Sequence, residues 1–120
     1  MVLRGIRGAI TVKEDNRLEI LGSTKELLEQ IQQANSLNPE DIASIFFTVT
    51  KDLTTAFPAE AARNLGWDLV PLLCFQEIEV IDSLPFCIRV LILFNTNKEQ
   101  NEIKHIYLRN AECLRKDLKT

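Results

Sequence analysis

Residues 87–95, Cys-Ile-Arg-Val-Leu-Ile-Leu-Phe-Asn, are apolar on both alternating faces. A strand carries apolar side chains on both faces only where both faces are covered, so this segment predicts the central strand of a sheet. One residue breaks the run. Arg89 shares a face with Cys87, Leu91 and Leu93. A buried guanidinium without an anion costs on the order of several kcal/mol. Arg89 therefore needs either an ion-pair partner, with Glu77, Glu79 and Asp82 in reach along the chain, or an external anion.

The other elements follow from pattern. Val2 to Val12 reads as a strand, with Leu3, Gly5, Arg7 and Ala9 on one face and Val2, Arg4, Ile6 and Gly8 on the other. Gly5 and Ala9 leave room beside the Arg7 guanidinium. Asn16 followed by Glu19 marks a helix start. Leu18, Leu21, Thr24, Leu28, Ile31 and Asn35 continue at helical spacing, widened by Leu27 and Ala34. Asn38-Pro39-Glu40-Asp41 begins a helical turn, Ile42 to Thr50 a β-branched and aromatic strand, and Phe57 to Gly66 a short helix between proline and glycine. Trp67 to Cys74 is a further strand candidate, Glu99 to Lys104 a helical turn, and Ile106 to Leu108 a short strand. These elements predict an α+β fold: a mixed β-sheet with helices on one face, in a single domain over residues 1–120.

Composition narrows the function. A 120-residue chain with 46% hydrophobic and 26% charged residues buries roughly two-thirds of its unfolded surface, leaving little core to spare for a deep pocket. A formal charge of −3 argues against nucleic acid, whose phosphates call for a clustered positive field. No apolar run reaches the roughly 20 residues of a membrane span. Cys74, Cys87 and Cys113 form neither a C-x-x-C pair nor an even disulfide set, which fits free thiols in the cytoplasm. One histidine, His105, without a Cys/His cluster gives no zinc site. No G-x-G-x-x-G, P-loop or G-x-S-x-G occurs.

What remains is a pair of strand arginines, Arg7 and Arg89, whose planar, permanently charged forks suit a carboxylate or another oxyanion. Glu77 follows an apolar strand and is either a solvated loop acid or an acceptor for a ligand hydroxyl. Cys74 reads as a small apolar residue, Tyr107 as a sheet-edge aromatic and His105 as structural.

Six motifs occur in register: Arg4-Gly5-Ile6-Arg7-Gly8-Ala9, Phe57-Pro58-Ala59-x-Ala61-x-Arg63, Cys74-x-Gln76-Glu77, Cys87-Ile88-Arg89-Val90, His105-x-Tyr107-Leu108 and Leu114-Arg115-x-Asp117-Leu118. Together they resemble the monofunctional, trimeric chorismate mutases of the AroH class (Bacillus type), over nearly the whole chain. The resemblance implies a homotrimer with a chorismate-mutase-II-like pseudo-α/β barrel and active sites at the subunit interfaces. It implies the Claisen rearrangement of chorismate to prephenate, a unimolecular step that uses no nucleophile, metal or cofactor. It further implies roles for residues. Arg89 would meet the breaking ether bond and a carboxylate, Arg7 and Tyr107 would hold a carboxylate, and Glu77 and Cys74 would take the ring hydroxyl. Phe57 and Arg63 would come from the neighbouring chain, and Leu114 and Arg115 from a mobile tail (about 109–120) that closes over the ligand. Glu60, where the family commonly has lysine, and Leu73, where it often has threonine, depart from the pattern. Two other functions fit the residues taken alone: a similarly folded trimeric enamine or imine deaminase, and a non-catalytic carboxylate-binding module.

Overall fold

The computed structural model describes residues 1–118, with side chains through Leu114. Five strands form one sheet: β1 (Val2–Thr11), β2 (Ile42–Val49), β3 (Leu72–Gln76), β4 (Cys87–Thr96) and β5 (Ile106–Leu108), in the order β3-β2-β4-β1-β5. The strand that is apolar on both faces occupies the middle position. β4 pairs antiparallel with both β1 and β2, while the outer pairs β2–β3 and β1–β5 are parallel. The sheet is mixed, as expected.

Helix α1 (Arg17–Asn35) starts where the sequence predicts, with the Asn16 side chain accepting from the Glu19 N–H at 2.8 Å. Its buried stripe is Ile20, Ser23, Thr24, Leu27, Leu28, Ile31 and Asn35. The expected stripe began too early. Leu18 is 84% exposed, because two residues before Ile20 is more than half a turn round the helix. Helix α2 (Ala59–Asn64) is shorter than its flanking proline and glycine suggested, and Gly66 follows it at φ +88°. Trp67 to Cys74 is corrected too. Trp67 is buried in a turn closed by the Val70 N–H on the Trp67 carbonyl, and β3 begins only at Leu72, opposite Ile45.

Both helices lie against one face of the sheet. That face carries Ile6 and Ile10 of β1, Ile88, Val90, Ile92 and Phe94 of β4, and Ile45 and Phe47 of β2, all in the main core, with Gly8 of β1 among them. Gly8 is the point of closest approach. A Cβ there would stand 2.9 Å from the Ile31 Cδ1 and 3.0 Å from the Ile106 carbonyl oxygen. The Ile31 methyl can yield, but the carbonyl of a paired strand cannot. Gly8→Ala is therefore expected to destabilise the fold by about 1–3 kcal/mol, the usual cost of overpacking, read as a lower denaturant midpoint. Gly5, on the other face, would meet nothing nearer than flexible Leu91 and Leu93 side-chain ends at 3.4 and 3.6 Å, and alanine there is expected to cost much less.

The opposite face carries neither α-helix: the 3-10 helical tail Arg109–Leu118 covers Ala9, Cys87 and Tyr107 near its β5 end, and the rest is open. Strand alternation puts Leu3, Gly5, Arg7 and Ala9 of β1, Cys87, Arg89, Leu91 and Leu93 of β4, Phe46 and Thr48 of β2, and Leu73 and Phe75 of β3 on this side. Leu3, Leu73, Phe75 and Leu91 are all exposed there.

Candidate active site

The pairing register lines up one row across the open face. Phe75 of β3 pairs with Thr48 of β2, Thr48 with Arg89 of β4, Arg89 with Ala9 of β1, and Ala9 with Tyr107 of β5. The central strand thus delivers its one arginine to the middle of the uncovered face. Ala9, without a bulky side chain, separates it from the only tyrosine.

Arg89 finds its anion in Glu77. Its Nε lies 3.2 Å from the Glu77 Oε2, with both side chains partly shielded. The pair is close but poorly aligned, so the buried Nε makes no hydrogen bond among the described residues. Glu77 is no loose loop acid. Its N–H donates to the Val49 carbonyl at 2.8 Å, extending the β2–β3 ladder by one rung. Its Oε2 accepts from the Thr48 hydroxyl at 2.7 Å, and its Oε1 from the Ile78 N–H at 3.3 Å. The Tyr107 hydroxyl is buried and has no hydrogen-bond partner among the described residues. A buried hydroxyl in that state costs free energy that a bound polar ligand would recover.

Arg7 stands one rung away, paired with Leu91, on the same face and exposed. Arg7 and Arg89 are diagonal neighbours across an antiparallel pair, roughly 7–8 Å apart along the backbone and somewhat closer at Cβ. Two like charges so placed repel, and a ligand with more than one negative charge offsets that repulsion. Arg4 points to the other side, donating to the Lys98 carbonyl and facing Glu99 at 3.9 Å. His105 accepts the Arg7 N–H at its Nδ1, 2.9 Å away, a structural bond at the sheet edge.

The tail packs beside this row. Ala111 and Leu114 close a small cluster with Ala9, Cys87, Leu84 and Tyr107. Arg109, at φ +57°, anchors it by donating to the Thr11 carbonyl and the Ser23 hydroxyl, both at 2.9 Å. Arg115 lies outside the described side chains. Burial pushes the Cys87 thiol up from its ordinary 9.0 to about 11, against the opposing pull of Arg89. The native state thus favours the neutral thiol. Because the folded value is the higher one, this contribution to stability is complete below pH 9 and is lost as pH rises toward about 11. Urea unfolding across that range is expected to show the loss, and Cys87→Ser to remove the part of it due to this thiol.

The remaining sequence-predicted residues gather elsewhere. Cys74 pairs with Phe47 and so points to the helix side of β3, away from Arg89. There the Ala59 backbone hydrogen-bonds its sulfur and Arg63 lies near, while burial holds the thiol above its ordinary range. With Phe57, Pro58, Arg17 and Gln76 it lines a cavity of about 510 Å³ at the β3 edge, which includes none of Arg7, Arg89 or Tyr107. Cys74 and Glu77, grouped together in the sequence reading, belong to different clusters within one chain. Glu60 is ion-paired with Arg17, so its charge is compensated beside this cavity. Thr48 is the residue sequence reasoning missed. Its position opposite Arg89 depends on strand register, which the β2 sequence does not encode by itself.

Among the described residues no three His, Cys, Asp or Glu side chains converge to hold a metal ion. No helix is long and apolar enough to cross a membrane.

Comparison with known proteins decides the family. The family model for chorismate mutase type I matches residues 3–118. The chain belongs to the type I chorismate mutases. It is 52% identical over 120 residues to the chorismate mutase AroH of Thermus thermophilus, covering 99% of this chain and 98% of that protein. It is 46% identical over 119 residues to the chorismate mutase AroH of Bacillus subtilis strain 168, covering 98% and 94%. A chorismate mutase structure from Clostridium thermocellum superposes with a TM-score of 0.90 at 49% identity, over 92% of this chain and 98% of that one. Family membership makes the chain an isomerase of aromatic amino acid biosynthesis, and it removes support for the deaminase and binding-module readings.

Proposed function

We propose that this type I chorismate mutase converts chorismate to prephenate at a site completed between chains, with Arg89, Glu77 and Arg7 as its catalytic core. The observation that carries the reading is the division of the candidate residues. Arg7, Glu77, Arg89 and Tyr107 stand on the open face of the sheet, while Phe57, Arg63 and Cys74 stand round the β3 edge. One chain offers two half-sites, and a neighbouring copy in a homotrimer would join them. The apolar side chains exposed on the open face support the same assembly, since an uncovered apolar sheet face is the surface a partner buries.

The chemistry asks little beyond charge and shape. In the rearrangement the bond from the ether oxygen to the ring carbon breaks as a C–C bond forms from the enol methylene to the ring. The enol C–O becomes a ketone, with no proton transfer and no covalent intermediate. Negative charge grows on the ether oxygen. Arg89, fixed on the central strand, would face that oxygen with a permanently charged donor in a water-poor site, where preorganised electrostatics contributes most. Arg7 and the unpartnered Tyr107 hydroxyl would hold a carboxylate and favour the compact conformer. Glu77 would accept the ring hydroxyl and favour positive character on the ring. Phe57, Arg63 and the Cys74 thiol of the adjoining copy would line the mouth, with Leu114 and Arg115 closing over it. The three cysteines are free, in keeping with a reducing cytoplasm.

Incubating the purified protein with chorismate in EDTA, and following prephenate by NMR, tests the reading. Acceleration over buffer, from a species of three times the chain mass by light scattering, is the expected result. No acceleration contradicts the activity, and an active monomer contradicts the shared site.

A further inference from the structure

We propose that Thr48 is a positioning residue for the rearrangement, its hydroxyl holding the Glu77 carboxylate in place against Arg89. The inference rests on the catalytic assignment of Glu77 and Arg89 made above.

Three observations carry it. Thr48 stands directly opposite Arg89 in the β2–β4 register, half-buried on the open face. Its Oγ1 donates at 2.7 Å to the same Glu77 oxygen that lies 3.2 Å from the Arg89 Nε. That Nε makes no aligned hydrogen bond among the described residues, so it attracts the carboxylate without fixing its direction. The Ile78 N–H reaches the other oxygen only at 3.3 Å, from the next residue in the chain. A short, linear-capable O–H···O⁻ bond is the strongest directional tie in the set. Thr48 thus links Glu77 sideways to the neighbouring strand, beyond the backbone bond to Val49.

The fold does not need that hydroxyl. Valine has the same shape, is equally at home in a strand, and would sit between the same neighbours. What valine removes is the direction of the carboxylate. A charged group left to swing by about 1 Å can cost on the order of 10²-fold in rate, even when nothing else moves.

The test uses the full-length protein, with chorismate as the substrate, and four variants: Thr48→Val, Thr48→Ser, Glu77→Gln and the double variant Thr48→Val/Glu77→Gln. Thr48→Val is expected to lower kcat about 10-fold or more, with KM within about 3-fold and an unchanged thermal midpoint. Thr48→Ser, which keeps the hydroxyl, is expected to stay within about 3-fold of wild type. In the Glu77→Gln background the valine should add less than about 2-fold, because residues acting through one group are not additive. A Thr48→Val kcat within about 2-fold of wild type overturns the proposal, as do losses that multiply in the double variant. Should valine fail to fold, Thr48→Ala is read by the same criteria. A wild-type enzyme without turnover would instead overturn the activity itself, which separates the two failures.

Discussion

Arg89→Ala is expected to lower kcat by at least roughly 10²–10³-fold, the cost of deleting one charged donor aimed at a developing oxyanion. The fold should survive. Arg89 is partly exposed within one chain, and its removal leaves Glu77 still bonded to the Thr48 hydroxyl and the Ile78 N–H. Arg89→Lys keeps the charge but loses the planar fork, and it should fall between alanine and wild type. Steady-state kinetics with a thermal melt on each variant distinguishes lost chemistry from lost structure. A near-normal kcat for Arg89→Ala would mean that the central arginine only balances Glu77.

Leu91→Lys is expected to have the second large effect, through assembly. Leu91 stands in the middle of the open face, between Phe46 on β2 and Arg7 on β1, and is 36% exposed in the isolated chain. A neighbouring copy that covers this face would bury the new ammonium beside a guanidinium. An uncompensated buried charge costs about 3–5 kcal/mol, which corresponds to about 10²–10⁴-fold in association. The variant should run as a monomer on light scattering and lose activity in step, while its own sheet stays folded. An active trimer would place the interface elsewhere.

The sheet and its central arginine were legible for one reason. A strand apolar on both faces has only a central place available, and an arginine in it demands an anion. β4 and the Arg89–Glu77 pair both follow from that requirement. The start of α1 was legible because Asn16 supplies a specific hydrogen bond, to the Glu19 N–H. Its buried arc was less so, since Leu18 and Ile20 are equally apolar and only the sheet decides which one faces in. Trp67 misled for a related reason, being buried by a turn and not by strand pairing. Thr48 was not legible, because its place opposite Arg89 depends on strand register, whereas the separation of Cys74 from Glu77 needed only the knowledge that extended chain continues to Glu77. Cys74 and Glu77 are three residues apart, and an odd spacing in extended chain places side chains on opposite sides. That separation is what the proposed shared site calls for, and such a site would turn the length argument around. A small chain spares little core for a pocket of its own when its copies supply the other wall.

Subunit complementation tests the shared site most directly. One variant, Arg89→Ala, lacks the open-face half-site, and another, Phe57→Ala/Arg63→Ala, lacks the edge half-site. Each should be strongly impaired alone. Unfolded together in equal amounts and refolded, they should form mixed trimers in which some interfaces pair an intact half from each. Random assembly then restores about a quarter of the activity of wild-type protein treated the same way, as a cyclic arrangement of heterologous interfaces requires. Mixed trimers no more active than either variant alone would contradict a site built from two chains.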